Sequence, residues 1–248
     1  DVCSSDHPKT VRELIDNKRH YEIGTEKLPS VTTILSATQS PEKQESLARW
    51  KAKVGEKEAD RVKNVAASRG TAMHTYLEHY LEGQGILDLT EVGQEAERMA
   101  KTIIDQGLPD LEEIWGLEAV LHSPGRYAGA TDCCGVYMGR ESIIDFKQSN
   151  KPKREEWIDD YKLQLAAYAT AHNEVYGTEI EQGVILMCTP DCFFQRFIIN
   201  GKQFREYTDK WKRKVDEYYE TIQKKRDAGE NDTGSGRTSL SLLESSGE

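Results

Sequence analysis

The spacing of apolar positions changes period several times along the chain, and each change marks an element. Residues 126–138 and 142–147 carry β-branched and aromatic side chains, and Met138-Gly139-Arg140 between them holds the glycine of a tight hairpin. An antiparallel pair is predicted. Residues 112–122 read as a strand before it, and residues 183–189 and 193–199 as a second pair closed by Asn200-Gly201. Helical spacing governs the rest. Residues 56–82 place Ala66, Ala67, Gly70, Met73, Leu77 and Leu81 on one stripe, and residues 91–107 form a helix that Gly107 ends and Pro109 keeps from continuing. A helix after the hairpin aligns Trp157, Tyr161, Leu165 and Tyr168 for packing on the sheet, and residues 204–226 align Trp211, Val215, Tyr218, Tyr219 and Ile222. Residues 1–29 read as a poorly organised lead-in with a short ribbon near 21–23, followed by a Ser/Thr-rich stretch, 28–35, that enters a helix.

Chemistry concentrates in the hairpin and the helix after it. Side chains alternate faces along a strand, so Asp145 and Lys147 share one face while Phe146 points to the other. Asp145 ends the run Ile143-Ile144, where a carboxylate is costly to desolvate unless a cation or several donors meet it. Asp132 interrupts the neighbouring strand in the same way. If the register sets the two acids opposite each other, two carboxylates and a lysine converge, and a divalent ion relieves their repulsion. Mg²⁺ suits such a place because it takes oxygen ligands and is commonly held by one or two carboxylates plus substrate phosphate. Gln164 and Tyr168 are one helical turn apart and share a face.

The order Asp132, Asp145-x-Lys147, Gln164-x-x-x-Tyr168 resembles the PD-(D/E)XK nuclease superfamily in its RecB-type branch. Its Pro-Asp is here Thr131-Asp132, which keeps the carboxylate. The segment around Pro29-Ser30-Val31-Thr32-Thr33, with Leu47-Ala48-Arg49-Trp50 after it, looks like the amino-terminal part of mitochondrial genome maintenance exonucleases and their phage-encoded relatives. That resemblance spans about residues 28–219. It implies an α/β fold of the α+β kind, with a restriction-endonuclease-like αβββαβ core, a mixed sheet flanked by helices and an amino-terminal helical elaboration. It also implies that residues 1–226 form one nuclease domain, mostly helical to 110 and catalytic from 111.

Site roles follow from the same likeness. Arg69-Gly70-Thr71-Ala72-Met73-His74 matches the branch's G-x-x-x-H, which makes His74 a metal ligand with Asp132, Asp145 and the Phe146 carbonyl. Lys147 then assists the attacking water, and Gln164 and Tyr168 position water and strand. Glu78 could orient the imidazole, and Glu118 could meet a second metal, a DNA-side lysine or a salt-bridge partner. Ser30, Thr32 and Thr33 can cap a helix or hold phosphate; the resemblance favours phosphate, with Arg69 and Lys151 as further contacts. The implied activity is a Mg²⁺- or Mn²⁺-dependent DNA exonuclease preferring single strands or free ends. A structure-specific or duplex endonuclease and a catalytically silent nucleic-acid-binding module are the alternatives.

Charge and composition adjust this picture at its edges. The 248 residues are 37% hydrophobic with net charge −10, which at first opposes nucleic-acid binding. Residues 227–248 hold five acids against Arg237, however, while Lys147, Lys151, Lys153 and Arg154 cluster after the proposed site. A local basic groove on an acidic body is expected, with a disordered tail in which Leu240, Leu242 and Leu243 are a candidate docking motif. Some relatives hold an iron-sulfur cluster through four cysteines. Here Cys3, Cys133, Cys134, Cys188 and Cys192 lack such spacing, so reduced thiols and no cluster are expected. With a mean hydropathy of −0.71 and no long apolar run, no membrane association is expected. The chain opens on Asp1, which leaves a targeting segment open. An intracellular monomer is expected, in a phage-infected bacterium in preference to the mitochondrial matrix, and a helicase or recombination partner stays open.

Overall fold

A computed structural model describes residues 10–15 and 18–229. The lead-in is better organised than its sequence suggests. Strands β1 (Thr10–Ile15), β2 (Lys18–Ile23) and β3 (Glu26–Pro29) form an antiparallel sheet in sequence order. Charged residues occupy both faces of β1 and β2, which hides their period; Tyr21, Ile23 and Leu28 supply the small core, packed with Ala128 and Val120.

Four helices follow, α1 (Val31–Ala37), α2 (Pro41–Val54), α3 (Glu56–Leu81) and α4 (Glu91–Gln106). Ser30, Ser40 and Thr90 cap the first, second and fourth by accepting the N–H three residues on. Gly107 closes α4, and Leu108–Asp110 makes one 3₁₀ turn into the main sheet. Helix α2 buries none of its residues, and the first half of α3 buries only Ala59. The two therefore stand out as an arm.

The main sheet contains β4 (Leu111–Ser123), β5 (Tyr127–Tyr137), β6 (Arg140–Gln148), β7 (Gln182–Cys188) and β8 (Phe194–Asn200), side by side in that order. Only β6 and β7 are parallel, joined through α5 (Asp159–Tyr176). The last element is α6 (Gly201–Asp227). With α4 before it, this is the expected mixed α/β core. Met138 and Gly139 both have positive φ, 50° and 71°, and pair Tyr137 with Arg140 across a two-residue turn.

Alternation along the strands divides the core in two. Cys134, Ile143, Ile185 and Met187 pack with α1, α5 and α6, whereas Cys133, Ile144, Phe146, Val184 and Leu186 pack with α3 and α4. The adjacent cysteines thus face opposite layers. Cys188 is buried and Cys192 partly so, while Cys3 lies outside the described residues. Helix α5 is apolar on most sides because it is enclosed by the sheet and α6. Trp157 is not on its packing stripe: it precedes α5 in a 3₁₀ turn, 59% exposed, with the Arg154 guanidinium 5.2 Å from its ring. Among the described residues no helix is long and apolar enough to cross a membrane. Of the tail expectation, Asp227 ends α6, and Leu240, Leu242 and Leu243 lie outside the described residues.

Candidate active site

The site forms where two strands part. Pairing of β5 with β6 runs from Tyr137–Arg140 to Cys133–Ile144 and stops there, one step before Asp132 would meet Asp145. In place of the next backbone bond, Asp132 Oδ2 accepts the Phe146 N–H at 2.6 Å. Its Oδ1 lies 3.3 Å from His74 Nδ1, carried by α3. The Phe146 carbonyl leaves the strand on the edge of its own N–H, toward the same gap.

Asp145 is 3% exposed. Lys147 brings its ammonium to 2.5 Å from Asp145 Oδ2, a close ion pair on a buried carboxylate. The Tyr161 ring centroid lies 5.2 Å from the same ammonium. Gln164 and Tyr168 reach in from α5, and among the described residues none hydrogen-bonds the Gln164 amide. The Tyr168 ring lies on Gly129, where a Cβ would come within 2.7 Å of Cε1. That contact explains the glycine of Gly129-x-x-Asp132. Gly70 is less constrained, since its Cβ would meet only Gln148 Cγ, at 3.4 Å.

Glu118 joins the group from β4. It sits beside Asp132, between the pairs Leu117–Cys133 and Ala119–Thr131, with φ of 45° inside a strand. A left-handed glutamate costs roughly 1–2 kcal/mol, and such strain tends to gather at functional positions. The ligand atoms of His74, Glu118 and Asp132 all lie within 4.8 Å of one another. This donor set, with the buried Asp145 carboxylate in the same cleft, fits a divalent cation. In sequence, the signal for Glu118 was an acid within an apolar strand.

Electrostatics agree with a site built for added positive charge. Burial pushes Asp145 up to about 6 despite Lys147. Burial and the charge of Asp132 push Glu118 up to about 7, although its side chain remains open to solvent. Burial would also raise Asp132, but His74 and Lys147 outweigh it and the net direction is down. For His74 burial pulls down, Asp132 outweighs it, and the imidazole is raised. Burial holds the Tyr168 phenol far above its ordinary range, hence protonated.

A pH-dependent stability follows. Asp145, Glu118 and His74 each hold a proton more tightly folded than unfolded, so each contributes stability at low pH that is lost as pH rises through its folded value. Asp132 acts oppositely, but only below the ordinary carboxylate range. The metal-free protein is therefore expected to lose thermal stability from pH 4.5 to pH 8. Mn²⁺ should raise Tm more at pH 8 than at pH 5.5, because fewer protons need displacing. Scanning fluorimetry in EDTA and in Mn²⁺ checks this, and equal shifts at both pH values would count against it.

Several residues expected at the phosphates are engaged elsewhere. The Ser30 hydroxyl accepts the Thr33 N–H at 3.0 Å, and the Thr33 hydroxyl donates to the Arg19 carbonyl at 2.9 Å. Both are buried and serve the helix cap and the β2 junction, while Thr32 is exposed at the cleft. Arg69 is buried too. Its Nε donates to Glu95 at 2.6 Å and its guanidinium to Asn150 at 2.9 Å, bracing α3 against α4 and the loop after β6. Lys151 is exposed but is not among the residues lining the cleft. That cleft, of about 500 Å³, is lined on its amino-terminal side by Arg12, Arg19 and Tyr21 together with Ser30 and Thr32, and by Glu78 on α3.

No known family profile matches the chain. It is 30% identical over 204 residues to mitochondrial genome maintenance exonuclease 1 of Mus musculus, covering 78% of this chain and 59% of that protein. It is 28% identical over 206 residues to the protein of that name from Homo sapiens, covering 78% and 58%. The chain thus spans less than two thirds of the length of these relatives. Among solved structures, a protein from Eubacterium rectale assigned as an exonuclease aligns with a TM-score of 0.48 at 14% identity, over 66% of this chain and 69% of that one. In its sequence likeness to these exonucleases, and in bringing the acid, the acid-x-lysine pair and the glutamine–tyrosine helix to one forked sheet, the chain resembles the PD-(D/E)XK nuclease superfamily.

Proposed function

We propose that the chain hydrolyses DNA phosphodiester bonds as a divalent-metal-dependent exonuclease acting on single strands or free ends. The observation that carries this reading is the convergence of His74, Asp132, Asp145 and Lys147 at the β5–β6 fork. His74, Glu118 and Asp132 would hold the ion, with Asp145 and the Phe146 carbonyl adjoining, and the ion would supply positive charge to the scissile phosphate. An imidazole among carboxylates favours Mn²⁺ over Mg²⁺ as the tighter-binding ion.

The chain's own groups do the rest. Lys147, steadied by Asp145 and the Tyr161 ring, presents a protonated amine that orients the attacking water and balances charge building on the phosphate. The Gln164 amide and the protonated Tyr168 phenol offer hydrogen bonds to phosphate and water from the opposite wall. The α2–α3 arm adds Arg49, Lys51, Lys53 and Lys57, with Leu47 and Trp50 exposed by 47% and 37%. Exposed aromatic and cationic groups together suit unpaired bases and their backbone, which favours single strands. The names of the relatives make the mitochondrial matrix a better-supported setting than an infected bacterium.

The test compares linear single strands, labelled at either end, with a covalently closed single-stranded circle in Mg²⁺, Mn²⁺ and EDTA. Stepwise loss of the linear strands, intact circles and no turnover in EDTA are expected. A cut circle would shift the assignment to an endonuclease. Binding without cleavage in either metal would leave only the silent module.

A further inference from the structure

We infer that Arg12 and Arg19, on the first two strands of the amino-terminal sheet, form a phosphate-binding wall that grips the substrate strand beside the scissile bond. This rests on the nuclease reading above and names backbone contacts that it lacks. The cleft is lined by four carboxylates, Glu78, Glu118, Asp132 and Asp145, and by the cations Arg12, Arg19 and Lys147 besides His74. Lys147 is engaged with Asp145. Among the described residues, no ion pair is formed by Arg12 or Arg19, whereas Arg69 is held by Glu95. A polyanionic strand entering this acidic cleft needs cations that the fold has not already used.

The backbone sets these two in place. Register pairs Arg12 with Tyr21 and Leu14 with Arg19, so the arginines are diagonal neighbours on one face of the β1–β2 hairpin. Such neighbours are roughly 7–8 Å apart, a span over which two long side chains can meet successive phosphates. Tyr21, on the same face, also lines the cleft. The Arg19 carbonyl accepts from the Ser30 N–H and from the Thr33 hydroxyl, both at 2.9 Å. Ser30 and Thr33 thus reach phosphate indirectly, by fixing the strand that carries Arg19. A guanidinium can take a phosphate by two parallel hydrogen bonds, which a lysine at the same place cannot.

The experiment measures binding of a labelled 20-mer oligothymidylate by anisotropy over a range of KCl in EDTA, and KM and kcat in Mn²⁺. It uses wild type, Arg12→Gln, Arg19→Gln, the double variant and Arg19→Lys, each checked for folding by circular dichroism. Each glutamine variant should weaken binding about five- to tenfold and flatten the salt dependence by about one phosphate contact. KM should rise more than kcat falls, and Arg19→Lys should recover the salt slope but only part of the affinity. Unchanged affinity and salt slope in a folded double variant would overturn the inference, as would a fall in kcat alone, which would mean that the arginines act only on the carboxylates. A wild-type chain that cuts DNA beside unaffected variants overturns this inference alone, whereas one that neither binds nor cuts DNA overturns the nuclease reading as well.

Discussion

Asp145→Asn is expected to lower the cleavage rate at least about a thousandfold, on the order of 4 kcal/mol of transition-state stabilisation, in a protein that stays folded. Two features of Asp145 separate these effects. Its carboxylate meets Lys147 and lies across the fork from Asp132, so removing the charge weakens both metal binding and the placement of the lysine. Burial already pushes this carboxyl up to about 6, so at pH 8 the metal-free fold holds a charge that its surroundings disfavour. A neutral amide of the same shape removes that strain while depriving Lys147 of its partner. The two changes oppose each other, and Tm in EDTA should move by only a few degrees, on the order of 1 kcal/mol for a chain this size. The rise in Tm on adding Mn²⁺ should largely disappear. Rate assays and thermal melts on one preparation check both halves; a variant that cuts DNA at the wild-type rate removes Asp145 from the chemistry.

Lys147→Ala should give a comparable loss of rate, about a hundred- to a thousandfold, with the opposite stability signature. Asp145 is left buried without its cation, a situation that costs on the order of 3–5 kcal/mol. The sign with pH follows from the direction of the shift. Without Lys147 the carboxyl is raised further, so the deficit is small near the unfolded carboxylate value and grows as pH rises through the folded one. Urea melts in EDTA should show a variant close to wild type at pH 4.5 and clearly weaker at pH 8, with Mn²⁺ restoring more to the variant than to wild type. Equal deficits at both pH values would mean that the ammonium contributes packing rather than charge.

The hairpin, the shared face of Asp145 and Lys147, and the helical stripe of α3 were legible because local periodicity and a two-residue turn decide them. The same holds for the mixed sheet, whose one parallel step follows from the helix between β6 and β7. What sequence could not supply was competition between partners. Ser30 and Thr33 look like phosphate ligands until β2 brings the Arg19 carbonyl to them, and Arg69 looks like one until α4 sets Glu95 against it. Trp157 matches a stripe that the helix does not extend to. Arg12 and Arg19 were hidden in strands whose charges mask their alternation, and Glu118 stood undecided until β4 and β5 paired around Asp132. In each case a contact distant in sequence chose among roles that the residue type allowed.

Anomalous diffraction at the manganese edge, from crystals grown with Mn²⁺, shows whether one divalent ion seats in the β5–β6 fork. A single strong peak among the His74 imidazole and the Glu118, Asp132 and Asp145 carboxylates is predicted. A fork without a peak at saturating Mn²⁺, or a peak only at surface carboxylates away from it, would contradict the account.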